Sequence, residues 1–211
     1  MILIVDYGVG NSKSIHNMLR RAGVEAAISG DPDEISTASK IILPGVGHFG
    51  FGMDSLRRRG LVDALNERVL HARVPTLGIC LGAQLLGRRS EEGDCAGLNW
   101  VPMQTVRFDI SKIHGGGKVP HMGWADTSHR SCPLFREMSE TPRFYYVHSY
   151  HFECDDQNIV ICTAEYGYRF ASGVAYRNIL GVQFHPEKSH VYGQQLLKNF
   201  ASIDLPRVEA N

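Results

Sequence analysis

The stretch Thr76-Leu77-Gly78-Ile79-Cys80-Leu81-Gly82 decides the fold, because it reads as an apolar strand that turns sharply into a helix. A glycine two residues to either side of Cys80 suits a crowded, strained turn, which lifts the middle side chain clear of the sheet. The helix that begins at Leu81 directs free N–H groups and its positive dipole end towards the sulfur, which favours the thiolate. A lone cysteine is more often a small buried residue, but a core cysteine has no need of these glycines. We therefore predict that Cys80 is a nucleophile.

A candidate base and its orienting acid lie far downstream, in Gln183-Phe184-His185-Pro186-Glu187. His185 could take the thiol proton, and Glu187 could accept the other ring N–H and hold the imidazolium, as the acid does in serine triads. A surface histidine beside a proline turn would look the same. The catalytic interpretation is favoured because His185 follows the strand-like run Ile179 to Phe184, so that the end of this strand can face the elbow at the end of another strand. The sequence thus predicts a Cys-His-Glu triad.

A glycine-rich turn, Pro44-Gly45-Val46-Gly47, ends the apolar run Ile41 to Leu43. Its backbone N–H groups could form an oxyanion hole, in which each preorganised donor is worth roughly 10²–10³ in rate. We expect Gly47 or Val46 to supply one N–H and Leu81, the residue after the nucleophile, to supply the other. Without the elbow, an ordinary strand-to-helix turn would be the preferred interpretation.

Composition indicates one soluble domain over residues 1–211, since 43% of the chain is apolar and the net formal charge is zero. The charge balance gives no sign of a nucleic-acid or anionic-membrane surface. No run approaches the roughly 20 apolar residues of a membrane span, and Met1 to Asp6 reads as a buried strand rather than a signal sequence. Five cysteines without CxxC spacing favour a reducing compartment, the cytoplasm, and argue against disulfides and a thiolate metal site. We expect neither a metal nor a cofactor.

Apolar periodicity predicts alternating strands and helices in the first half of the chain. The predicted elements there are a strand over 1–6, a helix from about Ser12 to Arg21 that Gly23 stops, an edge strand over 24–28, a helical turn from Pro32, a strand over 40–43, a helical region over 52–72 interrupted at Gly60, and the elbow strand with a helix to about Arg88. This alternation predicts an α/β fold with a doubly wound, mainly parallel sheet flanked by helices.

The second half of the chain reads mostly as strands bounded by turns, which we expect to add antiparallel strands to the sheet. The predicted strands are Trp100 to Phe108, Arg143 to Glu153, Ile159 to Glu165, Gly173 to Tyr176 and the run that leads to His185. The loop from Lys112 to Lys118, which contains three glycines, is predicted to be mobile.

Five segments resemble the class I, or triad, glutamine amidotransferases. They are the elbow around Cys80, the segment with His185 and Glu187, the turn Pro44 to Gly47, Pro120-His121-Met122-Gly123-Trp124 and Tyr146-Val147-His148-Ser149-Tyr150. The likeness runs along nearly the whole chain, and two blocks, Pro44 to Gly47 and Pro120 to Trp124, resemble the glutaminase subunits of histidine biosynthesis in particular. Ala83 departs from the family, which commonly has methionine after the elbow glycine, but it occupies a packing position.

The resemblance implies that Cys80 attacks the side-chain amide of L-glutamine and that His185 delivers a proton to the departing ammonia. It also implies a set of substrate-binding residues, namely Gly47, Gln84, His148, Ser149 and Tyr150. The segments that match the family's partner interface and ammonia gate contain Asn11, His121, Met122, Trp124, Tyr145 and Lys188.

The implied partner is a (β/α)₈-barrel cyclase that forms a heterodimer with this subunit and uses its ammonia to make imidazole glycerol phosphate and an aminoimidazole carboxamide ribotide. A paralogous subunit that feeds a sugar amidotransferase of surface polysaccharide synthesis would carry the same triad. A catalytically idle partner-binding subunit is disfavoured by the intact triad. A standalone cysteine hydrolase would not need the segments that match the family's partner interface.

Overall fold

Two β-sheets and six α-helices make up the fold in the computed structural model, which describes residues 1–113 and 118–204. The α-helices are α1 (Ser12–Arg21), α2 (Pro32–Thr37), α3 (Phe49–Arg58), α4 (Leu61–Asn66), α5 (Leu81–Leu85) and α6 (His190–Ala201). The strands are β1 (Ile2–Val5), β2 (Ala26–Ser29), β3 (Lys40–Leu43), β4 (Thr76–Ile79), β5 (Arg89–Ser90), β6 (Cys95–Ala96), β7 (Met103–Arg107), β8 (His121–Asp126), β9 (Ser128–His129), β10 (Arg143–His148), β11 (Tyr150–Cys154), β12 (Val160–Tyr166), β13 (Tyr168–Tyr176) and β14 (Ile179–Val182).

The large sheet begins with five parallel strands in the order β2-β1-β3-β4-β14. It continues through β13, β11 and β7, which run antiparallel to their neighbours in that order, and β12 and β9 branch from β13. A separate two-stranded sheet pairs β8 with β10 in antiparallel register. The predicted mainly parallel sheet with added antiparallel strands in the second half is therefore confirmed.

The parallel strands bury side chains on both faces, as a doubly wound sheet requires. In β1, Leu3 and Val5 pack into one apolar cluster, and Ile2 and Ile4 pack into the other. Side chains of α3, α4 and α5 complete the first cluster, whereas side chains of α1 and α6 complete the second. Hydrophobic burial on two sides, rather than the short strands alone, stabilises the centre of the sheet.

The five parallel strands end at the same edge of the sheet, where the loops that follow four of them carry the predicted site. These loops begin after β1, β3, β4 and β14 and carry the segments 6–11, 44–48, Cys80 and 183–189. Open α/β sheets place ligands at this carboxyl edge. The fold thus brings together segments that lie more than a hundred residues apart in the sequence.

Several predicted boundaries are wrong in the second half and around the elbow helix. The predicted strand Arg143 to Glu153 is two strands, β10 and β11, which separate at Ser149 and join different sheets. The helix predicted to reach Arg88 ends at Leu85, because N–H groups of the returning loop bond to the helix-end carbonyls, Leu98 to Leu85 at 2.8 Å and Trp100 to Leu86 at 2.9 Å.

The helical region expected over 52–72 begins earlier, at Phe49, and breaks at Gly60 as predicted, with φ of 67°. Strand β8 was not predicted. The predicted mobile loop of Lys112 to Lys118 falls mainly on residues 114–117, which lie outside the described residues. No helix in the described ranges is long and apolar enough to cross a membrane.

Candidate active site

Cys80 occupies a sharp turn between β4 and α5, in a backbone conformation that L-residues rarely adopt. Its φ is 52° and its ψ is −112°, and its backbone N–H donates to the carbonyl oxygen of Val182 at 2.8 Å. A methyl group at Gly78 would lie 2.7 Å from the Cα of Ala83, and one at Gly82 would overlap the carbonyl oxygen of Leu43. The two glycines are therefore required by close backbone contacts, and the strain at Cys80 is maintained by the surrounding structure.

His185 and Glu187 form a buried pair at the end of β14. Nδ1 of His185 lies 2.8 Å from Oε1 of Glu187, and their side chains are only 1% and 2% exposed. The backbone N–H of His185 donates to the carbonyl of Tyr145 at 2.9 Å, and Ser189 Oγ donates to the carbonyl of His185 at 2.6 Å. These bonds fix the ring, while Nε2 of His185 has no hydrogen-bond partner within the described part of the chain.

The position of Cys80 affects the protonation of His185. Burial lowers the pKa of His185, but the neighbouring Cys80 thiolate and the carboxylate of Glu187 favour the imidazolium more strongly and raise the pKa above its ordinary value. The charges around His185 thus favour its imidazolium form, with the carboxylate of Glu187 at Nδ1. The three residues of the predicted triad lie together, with Glu187 bonded to the nitrogen opposite the free Nε2.

The loop predicted to form the oxyanion hole lies beside the elbow and is tightly packed at its start. Tyr7 donates its hydroxyl to the carbonyl oxygen of Pro44 at 2.6 Å, and a methyl group at Gly45 would lie 2.5 Å from the backbone nitrogen of Gly82. A methyl group at Gly10, in the loop after β1, would lie 3.1 Å from the nitrogen of Gly45. The first half of this loop therefore has little room to move.

The second half of the same loop is open. Val46 is 44% exposed, and Gly47 has φ of 108° with no atom near the position that a β-carbon would occupy. Helix α3 then begins, and Glu92 accepts a hydrogen bond from the backbone N–H of Phe49 at 2.7 Å. The open space thus lies at the two residues predicted to supply an oxyanion donor, and one of them, Gly47, is a glycine with few backbone restrictions.

The predicted substrate residues Gln84, His148, Ser149 and Tyr150 lie near the triad, and Gln84 and His148 both bond to the backbone of Tyr150. Gln84 Nε2 donates to the carbonyl of Tyr150 at 3.4 Å, and His148 Nδ1 lies 2.7 Å from that same oxygen. The carbonyl of Ser149 accepts from the N–H of Phe108 at 3.1 Å. These contacts order the segment between β10 and β11.

His148 and His121 are a neutral pair inside the protein. Burial lowers the pKa of His148 to about 3 and the pKa of His121 to about 4. Because the carbonyl of Tyr150 can only accept, Nδ1 of His148 carries its proton, and Nε2 of His148 accepts from Nδ1 of His121 at 3.2 Å. Both ring nitrogens of His148 are therefore occupied within the chain.

Four of the six predicted interface residues form an exposed patch, which we call the β8–β10 patch. Met122 is 62% exposed and Trp124 is 39% exposed, and Trp124 meets the ring of Tyr145 edge-on. The Lys188 ammonium lies 5.5 Å from the centre of the Tyr145 ring. Asn11 is the exposed N-cap of α1, and the side chain of His121 points to the buried side of β8.

Three residues near the predicted site were missed in the sequence. Gln183 contacts the sulfur of Cys80, Tyr7 bonds to Pro44, and Glu92 caps α3. Of these three residues, only Gln183 could have been found from the sequence, because it is a polar residue at the end of an apolar strand and close to His185. In the described ranges, no group of three His, Cys, Asp or Glu residues could hold a metal ion.

The sequence profile of the family described as glutamine amidotransferase class-I matches residues 3–203. The chain belongs to this family. Two solved glutamine amidotransferases share the fold of this amidotransferase. One has a TM-score of 0.73 at 18% identity and covers 96% of this chain and 100% of its own, and one from Thermotoga maritima has a TM-score of 0.65 at 17% identity, covering 96% and 98%.

Several relatives are more similar in sequence to this amidotransferase than these two solved structures are. The imidazole glycerol phosphate synthase subunit HisH 2 of Pseudomonas aeruginosa is 48% identical, over 96% of this chain and 100% of its own. HisH 2 of Methanococcus maripaludis is 47% identical over 95% and 98%, and HisH of Sulfurimonas denitrificans is 47% identical over 95% and 97%. The resemblance to the histidine-pathway branch of the family is thereby confirmed.

Proposed function

We propose that this amidotransferase hydrolyses L-glutamine to glutamate and ammonia through Cys80, His185 and Glu187. The observation that carries the proposal is the placement of Cys80 on a strained elbow next to a buried His185–Glu187 pair. Such a constellation activates a sulfur nucleophile and orients its base, and it is recognised by geometry rather than by chain order.

The reaction proceeds in two steps. The Cys80 thiolate attacks the side-chain amide carbon, and His185 gives its proton to the leaving nitrogen, so that ammonia departs and a glutamyl thioester remains. Neutral His185 then takes a proton from water, and the resulting hydroxide attacks the thioester to release glutamate. Glu187 holds the tautomer and stabilises the imidazolium throughout, without forming a bond to substrate.

The oxyanion of each tetrahedral intermediate is stabilised by backbone N–H groups. We assign one donor to Leu81, which follows the nucleophile and begins α5, and the other to Gly47 or Val46. Gln84, with Ser149 and Tyr150, lines the pocket for glutamine. His148 contributes by ordering the backbone of Tyr150, since both of its ring nitrogens already have partners.

The ammonia is passed to a partner. Free ammonia is largely protonated in water near neutral pH and is then no nucleophile, so a glutaminase of this kind needs an acceptor docked on it. The curated relatives are named as subunits of imidazole glycerol phosphate synthase. We assign as partner a (β/α)₈-barrel cyclase, bound as a heterodimer, which makes imidazole glycerol phosphate and an aminoimidazole carboxamide ribotide. Asn11 and the β8–β10 patch are the contact surface, and His121 lies beneath it.

A second candidate function is supply of ammonia to a sugar amidotransferase of surface polysaccharide synthesis. Two relatives carry the numeral 2 in their names, which is consistent with more than one such subunit in an organism. A duplicated subunit can keep the same triad and serve another acceptor. In either function we place this chain in the cytoplasm as one amidotransferase domain that needs no cofactor.

The deciding experiment pairs this chain with a histidine-pathway cyclase and measures glutamate release and imidazole glycerol phosphate formation. Glutamine-dependent synthesis by the pair supports the histidine function. Glutamate release that no histidine-pathway cyclase can use for synthesis would favour the second candidate. If no glutamate is released with any partner, the glutaminase assignment is wrong.

A further inference from the structure

Gln183 is fully buried at the end of β14, where its side chain contacts the nucleophile. Its Nε2 lies 3.6 Å from Sγ of Cys80, within reach of a hydrogen bond to sulfur. Its backbone N–H donates to the carbonyl of Ser172 on β13 at 2.8 Å. Both the main chain and the side chain of Gln183 are therefore fixed beside the sulfur.

The direction of this contact follows from its neighbours. The carbonyl oxygen of Tyr150 can only accept, so the side-chain atom of Gln84 that faces it at 3.4 Å must be the amide nitrogen. That same nitrogen lies 3.0 Å from Gln183, which must present its oxygen there. The other end of the Gln183 amide, the NH₂ group, is then left to face Cys80.

We propose that Gln183 is a positioning residue for the nucleophile, donating an N–H of its side chain to the Cys80 sulfur while Gln84 locks its orientation. A buried anion is costly without donors, and a hydrogen bond to a charged atom is stronger than a neutral one. The sulfur thus has two stabilising neighbours, the His185 imidazolium and the Gln183 amide. The inference rests on Cys80 being the nucleophile of the proposed glutaminase.

The donor acts on the thiolate before the reaction begins. Once the thioester has formed, the sulfur is neutral and the hydrogen bond is weak, so Gln183 affects ionisation and orientation of the sulfur more than binding of glutamine. Its loss should therefore change the pH dependence of sulfur reactivity, whereas a purely structural role would not.

The test is alkylation of Cys80 by iodoacetamide between pH 4 and 10, followed by mass spectrometry of the Cys80 peptide. Gln183→Met removes the donor without adding charge, and Gln183→Glu keeps an acceptor for Gln84 but has no N–H when ionised. We expect the midpoint of the pH dependence to rise by about one unit in Gln183→Met, and further in Gln183→Glu, with alkylation about tenfold slower below the midpoint.

The matched control is Gln195→Glu on α6, whose amide donates to Asn199 at 2.9 Å, outside the bonds that end at Cys80. Its midpoint should equal that of the wild type. An unchanged midpoint in folded Gln183 variants, with or without a lower glutaminase rate, would overturn the proposal. Since the assay uses no glutamine, a failed glutaminase assignment would leave this readout intact.

If neither Gln183 variant folds, NMR of the wild type and Cys80→Ala decides. The side-chain NH₂ resonances of Gln183 should shift when the sulfur is removed. Identical resonances in the two proteins would contradict the proposed bond.

Discussion

The two sides of Cys80 are built differently. On one side, His185 and Glu187 are buried, paired at 2.8 Å and fixed by bonds to Tyr145 and Ser189. On the other side, Val46 is 44% exposed and Gly47 has free space at the position of a β-carbon. The acid–base side is complete within the chain, whereas the proposed oxyanion side retains backbone freedom that another molecule could use.

This difference has a structural origin. His185 and Glu187 follow a single buried strand and lie two residues apart, so one turn places both. The loop from Pro44 to Gly47 instead depends on three other segments, through Tyr7, Gly10 and Glu92. Gly10 directly precedes Asn11, a proposed partner contact, so binding of the partner at Asn11 could change the conformation of this loop through Gly10.

The largest effect is expected from Cys80→Ala, which removes the group common to both sides. Glutamine hydrolysis should be abolished, while the partner still makes product from added ammonium salts, because only the nucleophile is lost. Glutamate release with purified variant and partner measures this. Cys95→Ala, at a half-buried cysteine of β6, is the control and should retain activity. Unchanged glutamate release by Cys80→Ala would show that the nucleophile is elsewhere.

Glu187→Gln tests the acid–base side alone. We expect kcat to fall by roughly 10³–10⁴, less than in Cys80→Ala, because Glu187 stabilises a tautomer and an imidazolium without bonding to the substrate. Steady-state glutaminase assays with the partner present measure it. Glu153→Gln, at an exposed glutamate, is the control. Equal activity of Glu187→Gln and wild type would remove Glu187 from the triad.

Docking of the partner tests the oxyanion side. We expect the free chain to be nearly inactive, and the cyclase with its nucleotide ligand to raise kcat for glutamine by at least about 10²–10³, as gain of one oxyanion donor predicts. KM should change less, because such a donor acts mainly in the transition state. Turnover is measured for the chain alone, with the partner, and with partner and ligand. The same kcat in all three states would contradict the expectation that docking of the partner supplies the missing oxyanion donor.

Gly82→Ala tests the junction of the two sides, where a methyl group would overlap the carbonyl of Leu43. We expect a loss of about 1–3 kcal/mol in the free energy of unfolding, from the displacement of α5 against β3. Denaturant titration measures it. Gly50→Ala in α3, whose new methyl would make only ordinary contacts, is the control and should be neutral or stabilising. Equal stability of the two variants would contradict the close contact.

The smallest effect is a change in the pKa of His185 in Cys80→Ala. Burial, which lowers this pKa, and Glu187, which raises it, are both retained in the variant. The thiolate, which also raises this pKa, is lost. The pKa of His185 should therefore fall, and less of the imidazolium should remain at neutral pH. NMR titration of the imidazole nitrogens measures both proteins. A pKa that stays the same would show that the thiolate does not contact the ring.

The amino-acid sequence by itself determined the parallel half of the fold, the elbow and the His185–Glu187 pair. These features depend on nearby residues: glycines two positions from Cys80, apolar strands bounded by turns, and two side chains on one short turn. Local sterics and periodicity suffice for such predictions. The break at Gly60 was predictable for the same reason.

Only the tertiary structure decided which distant groups meet. Gln183 and Gln84 are 99 residues apart, yet they form one bond beside Cys80. His121 alternates inward from the exposed Met122 because β8 pairs with β10 in that register, and a strand expected to be continuous divides at Ser149 because its halves join different sheets. Strand pairing and side-chain packing are set by the free energy of the whole fold, which no short segment of sequence contains.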